Sequence, residues 1–404
     1  VCQYYIEPNN CSLEEAAEQI AAESSIGTWT ELSTMKPEVA SRLKPTIFSM
    51  KKNEIKIAYS ADLFENGNMP QILSSIAGNI FGMKLVKNLR LEDISFPECI
   101  VKSFKGPEFG INGIRNLLKI KERQLVGTIV KPKVGLSSKE HAQVAYEAWT
   151  GGLDIVKDDE NLTNQDFNPF KSRVMQTLQK RDKAEDITGE KKMYMPNITA
   201  ETNEMLKRAE FVKDLGGEYV MIDIITAGFS ALQTLRDADL GLVIHAHRAM
   251  HAAITRTKQH GISMLAIAKI SRLIGVDQLH IGTAVGKMEG KAIETEEIEH
   301  EIEDSIVYEN KSGHILEQKW RDIKPVFAVS SGGLHPGLIP KVAHILGKNV
   351  IMQFGGGVHG HPLGTRKGAI AVRQALDAYL KEIPLDIYAK SHSELKIALD
   401  KWGM

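Results

Sequence analysis

Residues 151–160 read GGLDIVKDDE and place a lysine directly before three acidic residues, at the end of an apolar run. The LDIV portion is short, largely β-branched and preceded by two glycines, which predicts a buried strand. Because a strand alternates its faces, we predict that Lys157 and Asp159 point the same way, with Glu160 where the strand gives way to a loop. A solvated ion pair is the simplest interpretation, since charged side chains are mostly exposed.

A metal site is the alternative interpretation of the same residues. Asp159 and Glu160 offer the hard oxygen ligands that Mg²⁺ prefers. A protonated Lys157 would repel the cation, and a neutral lysine is costly near pH 7 unless its pKa is depressed. Addition of CO2 to the amine would give an anionic carbamate, N6-carboxylysine. We therefore predict that carbamylated Lys157, Asp159 and Glu160 form a three-carboxylate magnesium site.

Other polar residues, and two glycine stretches, also lie at the ends of strand-like runs. They are Lys131, Lys133, His245, His247, His280, Ser331, Gly332, Gly333, Gly355, Gly356 and Gly357. Between residues 106 and 404 these runs alternate with helical segments in eight units, which predicts a (β/α)8 TIM barrel. The C-terminal ends of barrel strands meet at one active site, so the shared position of these residues indicates an enzyme.

The segment before residue 105 differs, because it mixes strands and helices. Ser12 and Glu15 form a capping box that begins a predicted helix in CSLEEAAEQIAAES. IFSMKKNEIKIAYS predicts two strands around a turn at Lys52 and Asn53. MPQILSSIAGNIFG predicts another helix. We therefore predict two domains, 1–105 and 106–404.

Two further patterns each allow a choice. The glycine stretches after strands seven and eight are typical either of tight turns or of backbone phosphate binding. Their position opposite Lys131 and Lys133 favours a substrate with two phosphates. His245 and His247 would lie on one face of a strand, as in zinc hydrolases. A zinc hydrolase of this fold carries that pair on its first strand, whereas here the pair is on the fifth.

Composition limits the class of protein. The chain has 404 residues, a formal net charge of -1 and 43% hydrophobic residues, which disfavours binding to nucleic acid or to a membrane through bulk charge. No apolar run is long enough to cross a bilayer. The cysteines Cys2, Cys11 and Cys99 are odd in number and without a pattern, so we expect a reducing, cytoplasmic setting.

Six motifs resemble those of the ribulose-1,5-bisphosphate carboxylase/oxygenase (Rubisco) large subunit. They are GGLDIVKDDE, KPKVG, HAHRAMH, GTAVGKMEG, SSGG and QFGGG. The similarity extends to AAESSIGTWTEL and SSIAGNIFGMKLVKNLRLEDI, and it is greatest to the archaeal form III enzymes. The resemblance implies an N-terminal α+β (ferredoxin-like) domain before the barrel. It also implies Mg²⁺ as cofactor and CO2 as the activator that carbamylates Lys157.

The resemblance further implies a role for each matching residue. The carbamate of Lys157 would take the C3 proton of ribulose-1,5-bisphosphate, and Lys131 would handle protons at C2. His247 would assist hydration, and Lys287 would polarise the incoming CO2, with O2 as the implied competing substrate. The residues implied in substrate binding are Glu23, Thr28, Trp29, Asn79, Lys133, Arg248, His280, Ser331, Gly332, Gly333, Gln353, Gly355 and Gly356. Among these, Arg248 and His280 would hold a phosphate.

Four of these residues belong to the first domain, and the resemblance places them in the active site of a partner subunit. They are Glu23, Thr28, Trp29 and Asn79. We therefore expect a homodimer with shared active sites, able to assemble further, without a small subunit. The pentose would come from nucleotide (AMP) recycling. The alternatives are a Rubisco-like enolase or isomerase of methionine salvage and a non-catalytic assembly protein, and the retained catalytic residues favour carboxylation.

Overall fold

A computed structural model describes residues 1–27, 30, 32–285, 292–311 and 314–404. These residues form two compact units. The first comprises Val1–Gly106, Ala249–Gly275 and Asp304–Lys324, and the second comprises Pro107–Arg248, Val276–Glu303 and Pro325–Met404. Among the residues described, none of the helices combines the length and apolar character that a bilayer crossing requires.

The described residues form fifteen strands in three sheets, numbered here in chain order. They are β1 (Cys2–Pro8), β2 (Thr46–Lys51), β3 (Glu54–Ala58), β4 (Val86–Ile94), β5 (Leu125–Ile129), β6 (Ile155–Lys157), β7 (Met193–Met195), β8 (Tyr219–Asp223), β9 (Val243–His247), β10 (Gly261–Ile262), β11 (Gln278–Gly282), β12 (Ile306–Val307), β13 (Gln318–Lys319), β14 (Phe327–Ser331) and β15 (Val350–Phe354).

The α-helices are numbered in the same way. They are α1 (Leu13–Glu23), α2 (Pro37–Leu43), α3 (Met69–Ile76), α4 (Glu98–Val101), α5 (Gly110–Leu118), α6 (Ser138–Thr150), α7 (Phe170–Thr188), α8 (Thr202–Asp214), α9 (Ile224–Ala227), α10 (Phe229–Asp237), α11 (Ala252–Thr255), α12 (Met264–Ile274), α13 (Ala292–Glu303), α14 (Ile339–Leu346), α15 (Gly356–His359), α16 (Thr365–Leu380), α17 (Leu385–Tyr388) and α18 (Ser393–Trp402).

The first unit is built on a five-stranded sheet in the order β10-β4-β1-β3-β2. The predicted capping box is confirmed, because Ser12 Oγ accepts from the Glu15 N–H at 3.1 Å and Glu15 Oε2 accepts from the Ser12 N–H at 2.9 Å. The predicted hairpin is also confirmed, since β2 and β3 pair antiparallel on either side of Lys52 and Asn53. These local patterns therefore determine the start of α1 and the β2–β3 turn.

The helix predicted over MPQILSSIAGNIFG is shorter than expected. α3 ends at Ile76, and a separate 3-10 turn covers Asn79–Gly82. Gly78 explains the break, because a Cβ there would lie 2.0 Å from the backbone oxygen of Ser74. The chain thus passes closer to the preceding turn than any other residue type allows, and the new turn begins at Asn79.

Later segments of the chain also belong to the first unit. α12 is joined to β4 by a buried ion pair, in which Lys269 Nζ lies 2.8 Å from Asp93 Oδ1 and both side chains are fully buried. Asp93 Oδ2 also accepts from the Leu316 N–H at 2.7 Å. One carboxylate therefore ties together three sequence-distant parts of this unit.

The second unit contains the predicted barrel. Eight parallel strands follow the order β7-β6-β5-β15-β14-β11-β9-β8, and a parallel bridge between Asn197 and Met221 links the two ends. Apolar side chains fill the interior, including Leu125, Ile155, Met193, Tyr219, Val243, Phe327 and Ile351. Farther along these strands, positions on the same inward face become polar, as at Lys157, His245 and Gln353. The polar end is therefore the C-terminal mouth of the barrel.

Candidate active site

Lys157 is the last residue of β6, and its amine is buried. The residue is 1% exposed, and its Nζ donates to the backbone oxygen of Asp158 at 3.0 Å and contacts Met221 Sδ at 3.3 Å. Burial lowers the pKa of Lys157, although the nearby carboxylates of Glu160 and Asp159 oppose that shift. A lowered pKa increases the fraction of neutral amine, which is the form that can react with CO2.

Asp159 and Glu160 turn toward other polar groups of the mouth. Asp159 Oδ2 accepts from Lys131 Nζ at 2.6 Å, and its Oδ1 accepts from the Asn161 N–H at 3.1 Å. Glu160 Oε2 lies 3.7 Å from His247 Nε2. Two carboxylates, one buried amine and the Lys131 ammonium are therefore grouped at the ends of β5 and β6.

Asp158 lies in a separate buried network. Its oxygens accept from Arg173 Nε at 3.0 Å, Tyr194 OH at 2.8 Å and the Asn197 N–H at 3.0 Å, and His141 Nε2 lies 3.0 Å away. Burial alone would raise the pKa of Asp158, but Arg173 and His141 hold it well below its usual range. The simple ion-pair interpretation thus applies to Asp158, and its partner is Arg173 rather than Lys157.

His247 is oriented by a residue that the sequence analysis did not select. Its Nδ1 lies 2.7 Å from Asp223 Oδ1, so the ring donates there and its Nε2 faces Glu160. Asp223 is the last residue of β8 and is 3% exposed. Its position at the end of a barrel strand is the signal that could have identified it.

His245, His280 and Ser331 form a second hydrogen-bonded group. His245 Nε2 lies 2.9 Å from His280 Nε2, and His280 Nδ1 lies 2.8 Å from Ser331 Oγ. Both His280 nitrogens are thus engaged with protein atoms. The ring centroids of His245 and His247 are 4.8 and 4.7 Å from that of His280, in agreement with the predicted common face.

The described residues contain no group of three or more His, Cys, Asp and Glu side chains that could hold a metal ion. The zinc interpretation therefore lacks a ligand set in this part of the chain. The magnesium hypothesis predicts an incomplete ligand set before Lys157 is modified, because Asp159 and Glu160 supply only two carboxylates. Conversion of the buried Lys157 amine into a carbamate would add the third, so these residues fit a hard cation once Lys157 is modified.

Arg248 follows β9 and provides a cation at the mouth. Burial lowers its pKa to about 10, and its guanidinium makes no ion pair or hydrogen bond within the described part of the chain. Gly282 makes room for it: a Cβ there would lie 2.8 Å from Arg248 Nη2, and its φ of +109° also favours glycine. A partly buried guanidinium without a carboxylate partner is suited to bind an anion.

The predicted phosphate loops lie where expected, after β14 and β15. Gly332 and Gly333 have φ of 116° and 71°. A Cβ at Gly355 would lie 3.4 Å from Lys131 Cε, and Gly356 begins α15. Gly355 of the second loop therefore brings bare backbone next to Lys131, a catalytic candidate.

Two other predicted substrate residues belong to the same unit. Lys133 Nζ donates to Asn161 Oδ1 at 3.1 Å. Gln353 is 1% exposed and pairs in register with Ser331, and neither atom of its amide has a partner among the described residues. A buried amide without partners is rare in folded proteins, which supports a ligand or water contact for Gln353.

The remaining predicted residues are not in this unit or are not described. Glu23 and Asn79 belong to the first unit, where Asn79 Nδ2 donates to Glu23 Oε1 at 3.4 Å. The predictions for Thr28, Trp29 and Lys287 lie outside the described residues.

Comparison with known proteins identifies the family. Residues 1–100 match the model of the ribulose bisphosphate carboxylase large chain, N-terminal domain, and residues 110–402 match that of the catalytic domain. Ribulose bisphosphate carboxylase of Methanocaldococcus jannaschii is 56% identical over 97% of this chain and 94% of the relative, and that of Methanosarcina barkeri is 54% identical over 100% and 95%.

Solved structures agree with this result. Octameric Rubisco from Pyrococcus horikoshii has a TM-score of 0.93 and 50% identity, covering 100% of this chain and 93% of the other. Dimeric archaeal Rubisco from Hyperthermus butylicus has a TM-score of 0.94 and 46% identity, covering 100% and 95%. The predicted domain types and the archaeal similarity are thereby confirmed, and the chain belongs to the ribulose bisphosphate carboxylase large-chain family of carbon–carbon lyases.

Proposed function

We propose that this chain converts ribulose-1,5-bisphosphate, CO2 and water into two molecules of 3-phosphoglycerate, with O2 as a competing substrate. The observation that carries the proposal is the buried Lys157 amine beside Asp159 and Glu160. The names of the relatives and their identity over almost the whole chain support it.

Activation of the site begins with the amine of Lys157. Its neutral form attacks CO2, so a nitrogen–carbon bond forms, one C=O π bond of CO2 opens and one proton leaves to solvent, which replaces a neutral amine by an anion. Carbamylated Lys157, Asp159 and Glu160 would then hold Mg²⁺. Bound there, Mg²⁺ would supply electrostatic stabilisation for negative charge that develops on substrate oxygens.

Proton transfer is assigned to the groups around this cluster. The Lys157 carbamate takes the C3 proton, and Lys131 handles the proton at C2. The 2.6 Å bond to Asp159 supports this role, because it holds the Lys131 ammonium at the mouth. His247 assists hydration, with its tautomer held by Asp223.

Substrate binding is assigned to the cation and the glycine loops. Arg248 would pair with one phosphate, and the backbone at Gly332, Gly333, Gly355 and Gly356 would contact substrate hydroxyl and phosphate oxygens. Lys133, Ser331 and Gln353 complete this set. His280 would contribute through its bond to Ser331, because both of its ring nitrogens are engaged. Lys287 would polarise CO2.

We further propose a homodimer whose sites are shared, with Glu23, Thr28, Trp29 and Asn79 supplied by the partner. The contact between Glu23 and Asn79 supports a common role for these two residues. The relatives include an octameric and a dimeric enzyme, so assembly beyond the dimer is compatible with the fold. We propose AMP recycling as the source of the pentose. Labelled 3-phosphoglycerate should form from ribose-labelled AMP in extracts of the source cells.

The central test is fixation of labelled CO2. Enzyme stripped of CO2 and Mg²⁺ should show a lag when ribulose-1,5-bisphosphate is added, and preincubation with both should abolish the lag. A folded, preincubated enzyme that fixes no CO2 would refute the proposal. Exchange of the substrate C3 proton without fixation would instead indicate an enolase or isomerase.

Lys157→Met should abolish fixation, and Lys192→Met is its matched control. Lys192 is another buried lysine of the barrel, but it precedes β7 and its Nζ binds the Leu153 backbone oxygen at 3.1 Å and Glu190 at 2.7 Å. Fixation should persist in any folded Lys192→Met preparation. Equal losses in the two folded variants would show that burial of a lysine, rather than its position at the mouth, explains the effect.

A further inference from the structure

A chain of hydrogen bonds runs from the barrel interior to Ser331. Gln278 Oε1 lies 2.7 Å from His245 Nδ1, His245 Nε2 lies 2.9 Å from His280 Nε2, and His280 Nδ1 lies 2.8 Å from Ser331 Oγ. Gln278 and His245 are fully buried and His280 is 3% exposed. The chain links β11, β9 and β14, so its members are held by three neighbouring strands.

The amide oxygen of Gln278 gives this chain a direction. An amide oxygen only accepts, so His245 carries its hydrogen on Nδ1. Burial lowers the pKa of both His245 and His280 well below the usual value, and each ring is therefore neutral with a single N–H. His245 Nε2 must then accept from His280 Nε2–H. His280 Nδ1 is left with a lone pair, and the Ser331 hydroxyl donates to it.

The surroundings of Gln278 keep the amide from turning over. Its Nε2 faces Met193 Sδ at 3.7 Å, within the apolar core of the barrel. Rotation of the amide would place Oε1 against that thioether, where the described residues offer no donor. A buried acceptor without a donor costs more than the bond it replaces, so the observed orientation is favoured.

We propose that Gln278 is a positioning residue that acts through His245 and His280 to make Ser331 a hydrogen-bond acceptor for a substrate hydroxyl. Because the Ser331 hydrogen is committed inward, only oxygen lone pairs remain for a ligand. A phosphate oxygen without a hydrogen cannot use them, whereas a sugar hydroxyl can. The identity of the substrate rests on the function proposed above, but the direction of the hydrogen bonds from Ser331 to Gln278 does not.

The direction can be measured without any activity assay. In the wild-type enzyme labelled with ¹⁵N-histidine, nitrogen chemical shifts should show His245 protonated on Nδ1 and His280 protonated on Nε2. Resonances that move in Gln278→Leu and Ser331→Ala would assign the two rings. The opposite tautomers, or charged rings at pH 8, would overturn the proposal even if the enzyme fixes CO2.

Kinetics test the consequence for the substrate. Gln278→Leu should raise KM for ribulose-1,5-bisphosphate roughly three- to tenfold, the range expected for one neutral hydrogen bond. In the Ser331→Ala background, Gln278→Leu should not raise KM further, because the proposed effect passes through the Ser331 hydroxyl.

Gln124→Leu is the matched control for loss of a buried glutamine. Gln124 is 3% exposed and precedes β5, where its Nε2 donates to the Gly347 backbone oxygen at 3.0 Å. The Gln124→Leu substitution should leave KM for ribulose-1,5-bisphosphate unchanged. An unchanged KM in Gln278→Leu, or equal effects with and without Ser331, would refute the positioning role. Wild-type enzyme that fixes no CO2 would refute the proposed function instead, and the tautomers would still test the chain of bonds.

Discussion

Replacement of Asp158 by asparagine should destabilise the barrel unit without removing a ligand from the active site. Asp158 and Arg173 are both fully buried, and three donors bind the carboxylate within 3.0 Å. Loss of one partner of a buried ion pair leaves an uncompensated charge, which costs about 3–5 kcal/mol. Asp158→Asn should therefore lower the free energy of unfolding by about that amount.

Asp159→Asn is the matched comparison, because it makes the same change one residue later. Its partner Lys131 keeps 34% of its side chain exposed, so solvent weakens their ion pair and the loss should be at most about 1 kcal/mol. If Asp159 is a magnesium ligand, this second variant should lose CO2 fixation while remaining folded. The two neighbours are thus predicted to separate stability from activity.

Urea denaturation followed by tryptophan fluorescence measures the difference. Trp149 is fully buried, and its ring centroid lies 6.4 Å from that of Tyr194, whose hydroxyl binds Asp158. Fluorescence should therefore respond to loss of this network. Equal stabilities for the two variants, or an inactive Asp158→Asn enzyme with wild-type stability, would refute the assignment of Asp158 to the fold.

Three further predictions concern the shared site, the anion site and acid stability. Glu23→Gln and Lys157→Ala homodimers should each be inactive, but the two variants refolded together should regain about a quarter of wild-type activity. The reason is that about half the dimers are mixed, and each mixed dimer has one intact site of its two. Mixed dimers without activity would contradict the shared site. Gly282→Ala should raise KM several-fold by displacing Arg248, whose Nη2 would lie 2.8 Å from the new Cβ, and an unchanged KM would contradict the anion-binding role. Burial lowers the pKa of His359 from 6.5 to about 4, so the unfolded chain binds the proton more tightly, and the free energy of unfolding should fall as pH drops from about 6.5 to 4. Urea denaturation across this pH range should show a shallower fall for His359→Gln than for the wild type. Equal slopes in the two proteins would contradict the role of His359.

Much of the fold and site could be predicted from local sequence. The capping box at Ser12 and the hairpin at Lys52 depend on neighbouring residues, so their physics is visible in short segments. The alternation of eight strand-like runs with helices indicated a parallel barrel, and the ends of those runs indicated the mouth. The motif resemblance then supplied the family, which the comparisons confirm.

Tertiary structure decided which polar residues meet. The sequence places Asp158 between Lys157 and Asp159, but only packing shows that it binds Arg173 while its neighbours face the mouth. Asp223 and Gln278 were missed because each acts on a histidine from an adjacent strand, 24 and 33 residues away along the chain. A one-dimensional pattern determines on which face of a strand a residue lies. The strand order and the burial of the barrel interior determine its partners, and through them its charge and its hydrogen bonds.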